Sequence, residues 1–344
     1  MSRFAFALLL VGCGGAPAAP GVATAPAAAT APAAPAAAAV LRGPYLGQVP
    51  DTVPALFAPG VVSRRYQELN AAFSPSGDEL VFTLADSGRR DYALVGMVRD
   101  ASGVWSSPEV MGFSGRFPDA DPIFTADGSR LYFISQRPRD AAETAPRKDF
   151  DIWYVDKRGA GWAEPVRLGE PVNTDADEFY VSVTRDGAIY FSRKDDVYRA
   201  VPSGDSYRVE KLPPAVNGEK TAEFDPFVAP DESYLIFAST GRPESLGSGD
   251  LYVSFRVKGE WTPARSLGPT INSKVLEYCP IVSPDGAYFF FTSYKKSGPA
   301  AATPRRRTLE QLTDEYDEIE NGLGNIHWLK ADFLAAMRDG GAPP

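Results

Sequence analysis

Apolar and polar positions alternate along this chain in short bursts, and the bursts come in pairs joined by a turn. "ELNAAFSPSGDELVFT" from Glu68, "DADPIFTADGSRLYFIS" from Asp119, "EFYVSVTRDGAIYFS" from Glu178, "EFDPFVAPDESYLIFAS" from Glu223 and "EYCPIVSPDGAYFFFTS" from Glu277 are five versions of one string. Each opens on an acid, alternates through a half-buried segment, reaches Ser-Pro-Asp-Gly or a variant, and continues in Phe, Tyr, Leu and Ile. Proline fixes φ and glycine accepts positive φ, so the middle is a tight turn and each string predicts a β-hairpin. The leading acids recur every 45 to 59 residues, which makes the repeat the dominant signal in the chain.

A third apolar string follows in each period: Asp151-Ile152-Trp153, Asp196-Val197-Tyr198, Asp250-Leu251-Tyr252 and Asn325-Ile326-His327. A fourth appears as "WAEPVRLGEPVNT" from Trp162 and "WTPARSLGPTINS" from Trp261, with weaker versions at Trp105 and Tyr207. Four short strands per repeat, five times over, predict an all-β, five-bladed β-propeller. The fifth repeat ends near Leu329 without a fourth strand, whereas an extra one, "VPALFAPGVVS", precedes the first repeat. Pro54, Phe57 and Ser63 match Pro165, Leu168 and Thr174 in spacing. The segment from Val53 to Ser63 is therefore expected to close the ring as the outer strand of the last blade, leaving no open sheet edge.

The Ser-Pro-Asp-Gly hairpin, the Asp-Ile-Tyr third strand and the Trp-x-x-Pro-x-x-Leu-Gly-x-x-x-Asn-Ser/Thr fourth strand resemble the WD40-like (PD40, TolB-type) repeats of bacterial envelope propellers over roughly residues 45 to 330. That resemblance implies the fold and a place in the envelope but no activity, because the fold carries enzymes, scaffolds and receptors alike. Three features depart from it. Tyr207 replaces Trp in the third repeat, Glu232 replaces the turn glycine in the fourth, and a TolB-like propeller would have six blades.

Composition fits a turn-rich β domain with a sizeable core: 344 residues, 44% hydrophobic and 12% aromatic, with 31 Gly and 31 Pro. The formal charge of -9 argues against a nucleic-acid partner or an anionic membrane surface. At the N-terminus, Arg3 precedes a short apolar run ending Leu10-Val11-Gly12-Cys13. The run is too short to span a bilayer and reads as a signal peptide over residues 1–12. Its end resembles a bacterial lipobox, which implies lipidation of Cys13. Gly14 in place of an aspartate points to the outer membrane of a Gram-negative cell, facing the periplasm or exported to the surface. Residues 13–40, almost all Ala and Pro, form an expected tether reaching on the order of 80 Å at ~3.1 Å per residue. The propeller is expected over 41–335, with a disordered tail at 336–344 and a monomeric state.

The remaining chemistry is narrow. Apart from Cys13 there is only Cys279, which sits in a first strand and reads as a buried thiol, so no intramolecular disulfide is expected. The single histidine, His327, stands where other repeats carry Trp153, Tyr198 and Tyr252, and a Ser-His-Asp triad or His-rich zinc site has no support. No Gly-rich phosphate loop is present.

Charge follows the repeat. Glu68, Asp119, Glu178, Glu223 and Glu277 occupy one equivalent position and are expected to ring a mouth of the central channel. Arg89, Arg90, Arg137, Arg193, Lys194, Arg242, Lys295 and Lys296 follow the second strands on the same face. Either each acid is locked by a basic residue or by backbone donors, or some of these groups, Arg137, Arg193, Arg242 and Lys295 among them, bind a sugar, peptide or cation. Asp121 and Asp225 lie two residues beyond their ring acids, where the other repeats have Asn70, Tyr180 and Cys279. Were the chain an enzyme, Asp121, Asp225 and Glu178 would be its catalytic candidates. Two insertions share this face: a polar loop, Ser135 to Asp149, and residues 304–321, where Thr308 and Gln311 fit a helix capping box and Leu309, Leu312, Tyr316 and Ile319 form one stripe, expected to pack on the blade. Three functions stay open: a non-catalytic envelope module binding a protein or cell-wall glycan, a glycoside hydrolase using two dissimilar channel carboxyls, and a propeller holding a structural cation such as calcium, with no other cofactor expected.

Overall fold

The computed structural model describes residues 40–140, 142–297 and 306–344. The expected signal peptide, Cys13 and the tether up to residue 39 lie outside the described residues.

Five antiparallel sheets make five blades. The first runs Gln67–Phe73, Glu79–Ala85, Tyr92–Val98 and Glu109–Val110, from the axis outwards. The second is Asp119–Phe124, Arg130–Ser135, Asp151–Arg158 and Val166–Arg167; the third is Glu178–Val183, Ile189–Arg193, Asp196–Ser203 and Ser206–Lys211. The fourth is Ala222–Val228, Tyr234–Thr240, Asp250–Val257 and Arg265–Ser266. The fifth contains Glu277–Val282, Tyr288–Ser293 and Asn325–Lys330, and its outer strand is the N-terminal Ala55–Leu56, paired with Trp328 and His327. The ring is thus closed by the segment expected from the sequence, and there are five blades rather than six. The pairing is short because the chain turns back after Phe57, whose N–H still reaches Ile326 O at 2.9 Å. The fully buried Phe57 ring meets Trp328, Phe290 and Phe73 at centroid distances of 5.0, 5.2 and 5.9 Å.

The recurring asparagine of the fourth-strand motif replaces the ladder where that strand ends. Asn173 Oδ1 accepts Ile152 N–H at 2.7 Å while its Nδ2 donates to Ile152 O and Leu168 O. Asn217 does the same to Val197 and Leu212. Asn272 does so to Leu251, with Ser266 Oγ as its second acceptor. Where Glu232 stands for the turn glycine, φ is 57° and the side chain supplies compensation. Its carboxylate takes Arg199 Nε at 2.7 Å and Tyr190 OH at 2.9 Å from the preceding blade, and also pairs with Arg256. His327 is a third-strand core residue, stacked on Phe291 and bonded to Glu320 at 2.9 Å.

Two expectations fail. The helix Leu309–Asp317 does carry the Thr308/Gln311 capping box, but no residue of it is buried; Leu309 is 78% and Tyr316 60% exposed. It is tethered by polar contacts instead, Arg65 to Asp317 at 2.9 Å and Asn321 Nδ2 to Arg65 O at 3.2 Å. The C-terminal tail is not loose either. Phe333–Arg338 is helical with Met337 fully buried, and Arg265 donates to Met337 O and Gly341 O, each at 2.5 Å. An apolar Phe-Leu-x-x-Met face was enough to dock it.

Candidate functional site

The five ring acids are all fully buried, so each needs donors or a neutralising proton. The donors come from two places. One is the loop entering the blade: Thr174 N and Oγ1 serve Glu178, Ser273 N and Oγ serve Glu277, Gly218 N and Thr221 Oγ1 serve Glu223, Ser114 Oγ serves Asp119, and Arg64 N serves Glu68. The other is the end of the blade's own second strand or the residues just after it. Ser135 Oγ and Arg137 Nη2 reach Asp119 at 2.7 and 3.0 Å. Arg193 Nε reaches Glu178 at 2.8 Å, Ser239 Oγ and Arg242 Nη2 reach Glu223 at 2.9 and 2.8 Å, and Ser293 Oγ reaches Glu277 at 2.9 Å. Lys295 acts on Glu277 only through its charge. Glu68 adds Asn325 Nδ2 at 3.0 Å from the fifth blade. The Ser or Thr after the motif asparagine is therefore the cap for the next blade's acid. The ring is a set of clasps between blades, and its carboxylates are occupied.

What faces the axis is the residue two positions on. Asn70, Asp121, Tyr180, Asp225 and Cys279 all take left-handed φ, between 48 and 54°. At each one the inner strand carries an extra residue, with register shifts between Leu69 and Ala72, Ala120 and Ile123, Phe179 and Ser182, Phe224 and Phe227, and Tyr278 and Ile281. A bulge of this kind bends the strand and re-aims a side chain. It also explains Pro122, Pro226 and Pro280 inside innermost strands, since a bulge is where a missing N–H is tolerated. Each proline carbonyl accepts a neighbour: Asn70 Nδ2 on Pro122 O at 3.3 Å, Ser182 Oγ on Pro226 O at 2.6 Å, and Tyr180 OH across the channel on Pro280 O at 2.5 Å.

Above these residues, at the end where the inner strands begin, lies a cavity of about 300 Å³. Tyr92, Phe150, Phe179, Phe224 and Tyr278 contribute its aromatic wall, with Phe150 linking Tyr92 and Phe179 at centroid distances of 6.0 and 5.5 Å. Asp121, Asp225 and Cys279 form its floor, and Arg89 and Lys194 its cationic side. Arg89, itself at left-handed φ 53°, lies with its guanidinium carbon 5.6 Å from the Tyr278 ring centroid. Cys279 Sγ is 3.6 Å from Asp225 Oδ2 and 3.9 Å from Asp121 Oδ1, and Cys279 N–H donates to Asp225 at 3.1 Å. Burial raises both carboxyls, and the Asp225 charge pushes Asp121 further; Arg89 pulls both back. Burial, then the two carboxylates, holds Cys279 as a thiol.

Of the sequence candidates, the structure thus brings Asp121 and Asp225 together in one cavity. Glu178 stands apart in its clasp, as do Arg137, Arg193 and Arg242. The aromatic wall was not singled out from sequence. Its signal was the residue directly after the ring acid in three repeats, Phe179, Phe224 and Tyr278.

No protein-family model and no curated protein matches the chain. Solved structures with similar chain courses include a Dyadobacter fermentans protein of unknown function, 13% identical over 72% of this chain and 80% of its own, with a TM-score of 0.43. A Xanthomonas campestris gluconolactonase is 16% identical over 74% of this chain and 83% of its own, TM-score 0.42. A puromycin-hydrolysing peptidase from Mycobacterium tuberculosis is 14% identical over 80% of this chain and 48% of its own, TM-score 0.39, so the chain spans about half of that enzyme. The β-propeller itself rests on the five sheets.

The buried clasps make a pH prediction. Burial, partly offset by Arg64 and Asn325, raises Glu68 from 4.5 to about 7, and burial raises Asp119 from 3.8 to about 6. The folded protein therefore keeps protons that the unfolded chain has already lost, and stability falls as pH rises from about 4 through 7. Melting temperature is expected to be lower at pH 8 than at pH 5.5, with a shallower fall in Glu68→Gln. Equal slopes in both proteins would contradict the assignment to Glu68.

Proposed function

We propose that the protein is a lipid-anchored envelope module whose propeller binds a hydroxyl-rich cell-wall glycan in the mouth cavity without transforming it. The observation that carries this reading is the cavity's make-up. Aromatic faces surround a small set of fixed acids and cations, the combination that lets a pocket stack an apolar sugar face and orient its hydroxyls. A role as passive binder is supported by the floor carboxyls being held already: Asp225 by the Cys279 N–H and both by the thiol. The second reading, glycoside hydrolysis, is favoured by one observation, two carboxyls from opposite parts of the ring meeting in one cavity, with burial keeping Asp121 the more readily protonated. Asp121 would then be the acid.

Calorimetric titration with N-acetylglucosamine oligomers and with solubilised cell-wall glycan separates these readings. Binding is expected, weakened at least tenfold by the exposed-site change Arg89→Ala with melting temperature unchanged, and with no new reducing ends appearing. Release of reducing ends that stops in Asp121→Asn would favour the hydrolase; absence of binding to either glycan would overturn the sugar reading.

The anchor part of the proposal rests on the lipobox-like Leu10-Val11-Gly12-Cys13. Among the described residues no helix is long and apolar enough to cross a membrane. The protein is expected to partition with membranes and to lose that behaviour in Cys13→Ala. A variant that stays membrane-bound would contradict the anchor.

A further inference from the structure

The floor of the mouth cavity has a donor set that the sugar reading does not use. Cys279 Sγ stands 3.6 Å from Asp225 Oδ2 and 3.9 Å from Asp121 Oδ1, on three different blades. In a tetrahedral zinc site with Zn–S of about 2.3 Å and Zn–O of about 2.0 to 2.2 Å, a sulfur and an oxygen ligand lie about 3.5 to 3.7 Å apart. One of the two observed spacings falls in that range and the other exceeds it slightly. Among the described residues no three such groups already enclose an ion, so binding must draw the Asp121 side inwards by a few tenths of an ångström.

A second observation comes from the first blade. Asn70 occupies the same left-handed bulge position as Asp121, Asp225 and Cys279, is 3% exposed, and has its Nδ2 on the carbonyl of Pro122, the residue after Asp121. Its Oδ1 is buried and has no hydrogen-bond donor among the described residues. A buried amide oxygen left in that state is costly unless something electropositive reaches it. The same bulge geometry that brings the acids and the thiol to the axis brings this oxygen to their level.

We propose that Asp121, Asp225 and Cys279, with Asn70 Oδ1 as the fourth donor, form a site for one thiophilic divalent cation such as zinc. The sulfur ligand selects this class over calcium and magnesium, which take all-oxygen shells. Binding forms a metal–sulfur bond at the expense of the Cys279 S–H bond and places carboxylates on the ion; the thiol proton and any carboxyl proton leave to solvent. The charges facing the site are Arg89 and Lys194, lining the cavity above it. Both oppose the cation.

Cadmium titration of the full chain tests this, in a Cys13→Ala background so that Cys279 is the sole thiol. One cadmium ion per chain is expected, with a thiolate-to-metal charge-transfer absorbance, displaced by zinc and accompanied by proton release. Cys279→Ser should abolish the band, Asp121→Asn and Asp225→Asn should each weaken binding at least tenfold, and Arg89→Ala should tighten it. The absorbance in the parent protein needs no variant to fold. Its absence, its persistence in Cys279→Ser, or equal affinity in every variant would overturn the proposal. The site is independent of the glycan reading: EDTA-treated protein that binds sugar but no cadmium refutes the cation site alone, and Arg89→Ala is expected to move the two affinities in opposite directions.

Discussion

The structure depends on one kind of contact, a fully buried carboxylate at the head of each innermost strand. A buried charge without partners is among the most unfavourable features a fold can contain, and a carboxylate offers several acceptor sites that demand donors. Here the donors are divided between the loop arriving from the previous blade and the far end of the blade's own hairpin. Glu223 shows the division clearly, with Gly218 N and Thr221 Oγ1 on one side and Ser239 Oγ and Arg242 on the other. Satisfying the charge therefore fixes where the inner strand begins relative to its neighbour. Glu68 extends the same logic across the closure, because its Asn325 partner belongs to the fifth blade.

Everything at the axis follows from that fixed start. Two residues on, each inner strand bulges, and a left-handed residue turns towards the channel. Left-handed φ is uncommon in non-glycine residues and persists where the surroundings enforce it. The repeated parts, acid, bulge and turn, are architecture. Chemistry enters where repetition stops, since the five bulge residues are Asn70, Asp121, Tyr180, Asp225 and Cys279, no blade being equivalent to its neighbours. Tyr180 plugs the channel by reaching Pro280 O, while two acids and a thiol are left at the floor of the cavity.

Much of this could be read from the chain. Hairpins were marked by Ser-Pro-Asp-Gly turns, and ring closure by the matching spacing of Pro54, Phe57 and Ser63. The pairing of Asp121 with Asp225 was marked by their standing at one repeat position. The bulge was not legible, because a proline inside an alternating pattern signals an interrupted strand without saying which side chain the interruption turns. The use of the ring acids was undecided for a similar reason: burial of Glu178 or Glu277 depends on Thr174, Ser273 and Ser293, hydroxyls that look like ordinary loop and strand-end residues in sequence. The helix at Leu309–Asp317 was placed correctly but given the wrong face, since its stripe meets no blade, and the Met337 tail was missed because a short apolar helix beyond the last repeat has no repeat to announce it.

The account stands or falls on the clasps being structural, and the sharpest measurement is the denaturant-unfolding free energy of Glu223→Gln. That change leaves the buried Arg242 guanidinium facing a neutral amide in place of its carboxylate partner at 2.8 Å. Breaking a buried pair in this way costs roughly 3 to 5 kcal/mol. The account predicts a loss of that order with the native fold retained in mild conditions, whereas stability equal to the parent's would contradict it.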